Sequence, residues 1–201
     1  PDPGAPPVDT QPGTFLLELI KPSHYDDEGY VIQWLKAWIP SNSLASLYGL
    51  ARVADRERVL GPEVQIAIQA YDETNTRVPV AGIIRRFQAN GGRGLICLVG
   101  VQSNQYPRAL DLARRFRAAG LPVAIGGFHV SGSLAMLPRL TPELQEALDL
   151  GITLFAGEAE EHFAALLRAA DAGRLAPVYN FMAQLPALQG QSLPHLPPEV
   201  A

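Results

Sequence analysis

The chain alternates short apolar runs with longer stretches of helical periodicity, and this alternation restricts its fold more than any other feature. Near-continuous apolar runs are typical of strands that are buried on both faces of a parallel sheet. Strands that are joined through helices need right-handed crossovers, which again favour a parallel sheet. The runs that we interpret as strands cover residues 14–20, 64–71, 95–101, 122–127 and 152–156.

Helices are predicted between these strands, where apolar residues recur three and four positions apart. Ser41 or Ser43 can cap the first of them, and Thr141 followed by Pro142 is a strong helix start. A short helix is also expected over residues 31–38, within the long connection that follows the first strand. The other helical stretches cover residues 44–54, 80–87, 106–116 and 163–170.

This order of elements predicts an α/β domain with a Rossmann-like (flavodoxin-like) fold, in which helices flank both faces of a five-stranded parallel sheet. We expect the strand order 2-1-3-4-5 and a domain that covers residues 14–173. Residues 1–13 are rich in proline and are predicted to form an extended leader. The proline-rich residues 174–201 are too apolar for a free linker, so we expect them to run over a surface of this domain or of a missing neighbour. The chain also begins without Met, which we interpret as the sign of a fragment.

Charge and cysteine content exclude several classes of function. With 16 basic and 20 acidic residues the chain has a net charge of −4, which gives no electrostatic footprint for nucleic acid. No apolar stretch reaches the ~20 residues of a membrane span, so no membrane partner is expected. The single cysteine, Cys97, lies in an apolar run, and we interpret it as a core residue of a reduced, cytoplasmic protein.

Polar and glycine residues follow each predicted strand. Ligands of open parallel sheets bind beyond the carboxyl ends of the strands, so we predict a binding edge there. The candidate binding residues, in strand order, are Ser23, His24, Ser41 and Asn42; Asp72, Glu73 and Thr74; Gln102, Ser103 and Asn104; Gly126, Gly127, His129 and Val130; and Gly157 and Glu158.

Three pairs of these residues each allow two interpretations. Residues 126–127 lack Cβ atoms and either admit a ligand or form a tight bend. Residues 103–104 precede a helix, where they either bind an anion or act as an ordinary cap. Residues 157–158 either cap the last helix or touch a ligand.

The sequence predicts neither a metal site nor a catalytic residue. No two histidines have a ligand spacing, and His24 and His129 are more typical of surface or hydrogen-bonded residues. The phosphate-binding loop, the dinucleotide-binding fingerprint and the nucleophile elbow are all absent. We therefore expect a binding module.

The segments that follow the strands resemble, in order, the N-terminal cobalamin (B12)-binding domain of B12-dependent radical SAM enzymes. The resemblance runs from about residue 15 to residue 172. It implies that the corrin lies across the strand ends and that the nucleotide tail descends into space beside Gly126, Gly127 and Ser103. The segments that carry it cover residues 22–30, 40–44, 72–74, 101–104, 108–110, 125–131 and 157–160.

The same resemblance implies a radical SAM barrel in cis, downstream of residue 174 and absent from this chain. In that family the barrel binds S-adenosylmethionine and holds a [4Fe–4S] cluster through C-x-x-x-C-x-x-C, and many members are methyltransferases. This chain has no such cysteine run, so we do not expect it to be catalytic alone.

The D-x-H-x-x-G motif of related B12 modules is also absent, which implies a cobalt without a histidine ligand on its lower face. His24, Tyr25, Gln33 and Trp34 are the candidates that could approach this face. The alternative hypothesis is a non-catalytic doubly wound sensor or interaction domain that binds another nucleotide or none, because the fold alone does not determine the function.

Overall fold

A computed structural model describes residues 13–34, 41–184 and 193–197, together with residue 200. Strands and helices alternate along it as the sequence predicts. The strands are β1 (Thr14–Lys21), β2 (Gln65–Asp72), β3 (Gly94–Leu98), β4 (Val123–Gly126), β5 (Thr153–Ala156) and β6 (Val178–Asn180). The helices are α1 (Asn42–Arg56), α2 (Val80–Ala89), α3 (Tyr106–Ala118), α4 (Phe128–Met136), α5 (Pro142–Asp149) and α6 (Phe163–Asp171).

The strands form one open sheet in the order β2-β1-β3-β4-β5-β6, and every pair of neighbours is parallel. The α/β class and the relative order of the first five strands are confirmed. The predicted count of five strands is wrong, because β6 adds a sixth strand beside β5. With only three residues, directly after Pro177, β6 is too short to stand out as an apolar run.

Helix α4 is a second element that sequence periodicity misses. It begins directly after β4, and Val130 is its only buried residue. A helix with one buried position leaves no apolar stripe to detect. In the predicted helix over residues 31–38, the described residues 31–34 are not helical, and the others lie outside the described residues.

Both faces of the sheet are covered, which explains the continuous apolar character of its strands. Phe15, Leu17 and Leu19 point from β1 toward α1 and α6, and Cys97 is buried in the same cluster. The β1 side chains that alternate with these three point to the other face of the sheet, which packs against α2, α3 and α5. Ser41 is the residue that caps α1, since its hydroxyl accepts the backbone N–H of Leu44.

A charged pair interrupts this second apolar layer. Glu18 of β1 is fully buried, and its carboxylate accepts a hydrogen bond from Arg86 of α2. Burial raises the pKa of Glu18 to about 7, and the opposing charge of Arg86 only partly offsets this effect. The cost of removing both charges from water offsets much of their attraction, so the net contribution of such a pair to stability is small.

No helix within the described ranges is long and apolar enough to cross a membrane.

Candidate functional site

A cavity of about 270 Å³ lies between the sheet and the two helices that cover one of its faces, α1 and α6. Its walls come from the first three turns of α1, from the start of α6 and the segment before it, and from the ends of β3, β4 and β5. The principal lining residues are Asn42, Ser43, Ser46, Leu47 and Leu50 on α1; Cys97, Val99, Gly100, Ala124, Gly126, Gly127 and Phe155 on or after the strands; and Gly157, Glu158, Ala159, Glu160, Phe163 and Leu166 before and on α6.

The cavity opens at the carboxyl edge of the sheet and extends along α1. Asn42 is the first residue of α1, and Gly157 directly follows β5, so both mark the open end. Leu50 also lines the cavity and lies eight positions further along α1, which corresponds to a depth of about 12 Å. The cavity is therefore a slot with a polar mouth and an apolar inner end.

Small residues at the ends of β3 and β4 leave this space open. Gly126 presents no side chain, and a Cβ there would lie 3.3 Å from the carbonyl oxygen of Phe155. Gly100 has a φ of 61°, and a Cβ there would come within 2.7 Å of the Ser43 Cβ. Ala124 keeps the adjacent position on β4 small as well. Larger side chains at these positions would close the slot.

Gly127 forms the tight bend that was one of the two interpretations of residues 126–127. Its φ is 140°, and a Cβ would lie 2.2 Å from the backbone nitrogen of Val101, so the close packing of two strand ends requires glycine. The same residue lines the cavity. The tight bend therefore forms part of the cavity wall.

Glu160 is a cavity residue that the strand-end rule misses, because it lies four residues beyond the end of β5. Its Oε2 is buried without a hydrogen-bond partner in the described structure. Glu158, which the sequence does predict, is exposed at the mouth. The backbone N–H of Gly157 donates to the Ser131 hydroxyl at 3.1 Å, which fixes the turn that carries both carboxylates.

The predicted residues at the end of β2 lie in a separate network. Glu73 is 1 % exposed and accepts hydrogen bonds from the Arg108 guanidinium and from the backbone N–H of Ser23. The Asp72 carboxylate accepts both the N–H and the hydroxyl of Thr74. These carboxylates are thus engaged with the protein, and they hold the start of the loop after β1.

The rest of that loop is held against α3 and the end of β2. The Tyr25 hydroxyl donates to Asp111 at 2.7 Å and accepts from Arg108. The Gln33 side chain donates to the backbone carbonyl of Glu73. Trp34 is 67 % exposed at this edge. No described residue of the loop lines the cavity, and His24 is half-buried away from it.

His129 lies on the opposite face of the sheet from the cavity. Its ring packs against that of Tyr106 with 4.2 Å between centroids, and its Nδ1 lies 3.2 Å from the Ser103 hydroxyl. Its Nε2 lies 3.0 Å from Glu143 Oε1, outside hydrogen-bond alignment. Ser103 is therefore engaged on this face. It does not border the cavity, although the resemblance implies that it does.

The predicted residues accordingly fall into separate groups. Gln102 and Asn104 lie in the turn before α3, where the Gln102 N–H donates to the side chain of Gln105. Val130 is buried in the core of the opposite face. The predicted residues that the structure brings together around the cavity are Asn42, Gly126, Gly127, Gly157 and Glu158.

Metal-ligating side chains do not cluster in the part of the chain that the structure describes: no group of three His, Cys, Asp or Glu residues could hold an ion there. Burial raises the pKa of the Cys97 thiol to about 12, so this cysteine is an inert wall residue at neutral pH. No family model, curated protein or solved structure matches the chain.

Proposed function

We propose that the chain is the cobalamin-binding module of a B12-dependent radical SAM enzyme, with a methyltransferase-like parent. The observation that carries the proposal is the slot between α1, α6 and the ends of β3–β5. Two of the segments that resemble this family contribute to its wall, with Gly126 and Gly127 from residues 125–131 and with residues 157–160. A Rossmann-like, flavodoxin-like fold fits the observed parallel strand order.

The size of the slot suits one part of cobalamin and excludes another. Pockets for small molecules span ~300–1,000 Å³, and this cavity of about 270 Å³ lies just below that range. It has room for a flat base and part of a ribose, whereas a corrin has to remain outside. Asn42, Gly126 and Gly127 would hold the nucleotide tail, and the corrin would lie over the carboxyl edge.

Exposed aromatic side chains at that edge are consistent with a further covering layer. Phe128 directly follows the glycine pair after β4 and is 67 % exposed. Trp34 is equally exposed and lies beside the end of β2, where its backbone N–H donates to the backbone carbonyl of Thr74. Exposed apolar surface beside a binding edge is typical of an interaction site. A radical SAM barrel in cis is the partner that the proposal places there.

When bound, cobalamin supplies a cobalt centre that can carry a methyl group. The contribution of this chain is to bind the nucleotide tail and to keep the corrin at the edge of the sheet. None of the described cavity-lining residues is a histidine, and the sequence lacks D-x-H-x-x-G. If the slot holds the nucleotide tail, the cofactor's own base would be kept away from the cobalt, and no described cavity residue would supply a histidine in its place.

The test is a binding experiment on the 201-residue chain. The protein is incubated with hydroxocobalamin and passed through gel filtration, and its visible spectrum is then recorded. We expect retained absorbance near one equivalent, shifted toward the base-off form. A colourless protein after gel filtration, in the oxidised and the reduced cofactor states alike, would contradict the proposal.

The volume of the cavity also favours a second candidate, a domain that binds an ordinary nucleotide without a corrin. A nucleoside would fill the slot and leave the carboxyl edge free for a protein partner. Thermal shifts with ATP, NADH and hydroxocobalamin distinguish the two. Stabilisation by a simple nucleotide and none by the corrinoid would favour this second function.

A further inference from the structure

We infer that Glu160 is the hydrogen-bond acceptor for a ribose hydroxyl of the nucleotide tail, and that it thereby contributes to the selection of corrinoids that carry this tail. The inference rests on the proposed function and deepens it, since it assigns a binding role to a residue outside the strand-end positions. The observation behind it is a buried carboxylate oxygen at the cavity wall that has no partner.

An unsatisfied buried carboxylate oxygen is costly, because the oxygen has lost its water without gaining a donor. Glu160 is half-buried as a residue, but its Oε2 is fully enclosed. The two fully buried glutamates of the described chain each have an arginine partner: Glu73 pairs with Arg108, and Glu18 pairs with Arg86. The Glu160 side chain has neither a hydrogen bond nor an ion pair among the described residues. A ligand donor would satisfy it.

The lining of the slot indicates which part of the ligand supplies this donor. Among the described residues that line the slot there is no Lys or Arg, so these residues offer no side-chain charge for the phosphate. The inner end is apolar, with Leu50 and Leu166, and suits the flat base. Glu160 precedes α6 on the mouth side of this apolar end, where the sugar between base and phosphate would lie.

The test compares hydroxocobalamin with cobinamide, a corrinoid that lacks the nucleotide. Dissociation constants are measured by visible titration for the wild-type chain and for Glu160→Ala. A hydrogen bond to a charged acceptor predicts that Glu160→Ala weakens cobalamin binding about tenfold to hundredfold. The affinity for cobinamide is expected to stay within about twofold, because cobinamide has no group that reaches Glu160.

Glu160→Gln keeps one acceptor oxygen without the charge, and we expect it to bind cobalamin with an intermediate affinity. The control is Glu57→Ala, at an exposed position beyond α1 and remote from the cavity, which should leave both affinities unchanged. Thermal unfolding of the ligand-free variants adds a second readout. Removal of an unsatisfied carboxylate should keep or raise the melting temperature, whereas loss of a structural contact would lower it.

The outcomes separate the two proposals. If the wild-type chain binds neither corrinoid, the proposed function fails. If it binds cobalamin, but Glu160→Ala changes neither affinity or weakens both equally, the role of Glu160 is overturned while the proposed function stands. A lowered melting temperature together with an equal loss for both ligands would identify Glu160 as a structural residue.

Discussion

Arg108 of α3 lies with its Nη2 2.6 Å from Oε1 of Glu73, the residue directly after β2, and both side chains are largely buried. Glu73 also accepts the N–H of Ser23, and Arg108 also contacts Tyr25. A single ion pair thus joins a helix, a strand end and the loop after β1. Its role is to position the edge of the sheet on the side away from the cavity.

Loss of this pair should destabilise the fold far more than loss of an exposed pair. Glu73→Gln leaves the Arg108 guanidinium buried without its countercharge, and we expect a loss of about 3 kcal/mol in the free energy of unfolding. The control is Arg114→Ala, which removes the exposed pairs with Glu146 and Asp111 and should cost less than about 1 kcal/mol. Urea unfolding measures both, and equal losses would contradict this role.

The buried carboxylate of Glu18 should make stability depend on pH. Its pKa is about 7 in the fold, above the usual value of 4.5 for a glutamate, so the folded state binds more protons between these values. Stability from this group is therefore fully present below about pH 4.5 and is lost as the pH rises through 7. Unfolding free energies of the wild type and of Glu18→Gln should thus diverge across that window. Parallel pH profiles would contradict the assignment.

Filling the slot should abolish binding without unfolding the chain. Ser46 is half-buried on α1 and lines the cavity, so Ser46→Phe places a ring where the proposed base would lie. We expect hydroxocobalamin retention to fall at least tenfold while the circular dichroism spectrum stays unchanged. Ser46→Ala keeps the space open and should bind within about threefold of the wild type. Retention by the Phe variant would exclude the slot as the binding site.

Gly127 should be among the least replaceable residues of the chain. A Cβ at this position would lie 2.2 Å from the Val101 nitrogen, with φ at 140°, so Gly127→Ala combines a clash with backbone strain. We expect a loss of about 3 kcal/mol or more in the free energy of unfolding. Gly120→Ala is the control, because it has a positive φ but no atom within 4 Å. Its cost should be only about 1–2 kcal/mol.

Burial on both sheet faces explains why β1 to β5 are predictable from sequence. A strand such as β1 must be apolar at almost every position, and the interruption at Glu18 is compensated by Arg86. The elements that escape prediction have little to bury: α4 buries only Val130, and β6 has a half-buried Tyr179 between exposed neighbours. The positions of α4 and β6 depend on tertiary contacts, which a local sequence pattern does not indicate.

The same reasoning explains the limits of the site prediction. The rule for strand ends directs attention to one edge of the sheet, but it does not tell on which face of the sheet a residue lies. Gly126 therefore lines the cavity, whereas His129, three residues later, packs against Tyr106 on the other face. Glu160 lies beyond the strand end altogether, and only the packing of α6 brings it to the wall.

The parallel direction of β6 determines where the chain leaves the sheet. Because β6 runs alongside β5, Phe181 emerges at the carboxyl edge, where its backbone carbon lies 2.8 Å from a Cβ built on Gly157. A unit tethered after this strand would start beside the mouth of the slot, and its effective concentration there would be high with a short linker. An antiparallel sixth strand would have released such a tether at the opposite end of the molecule.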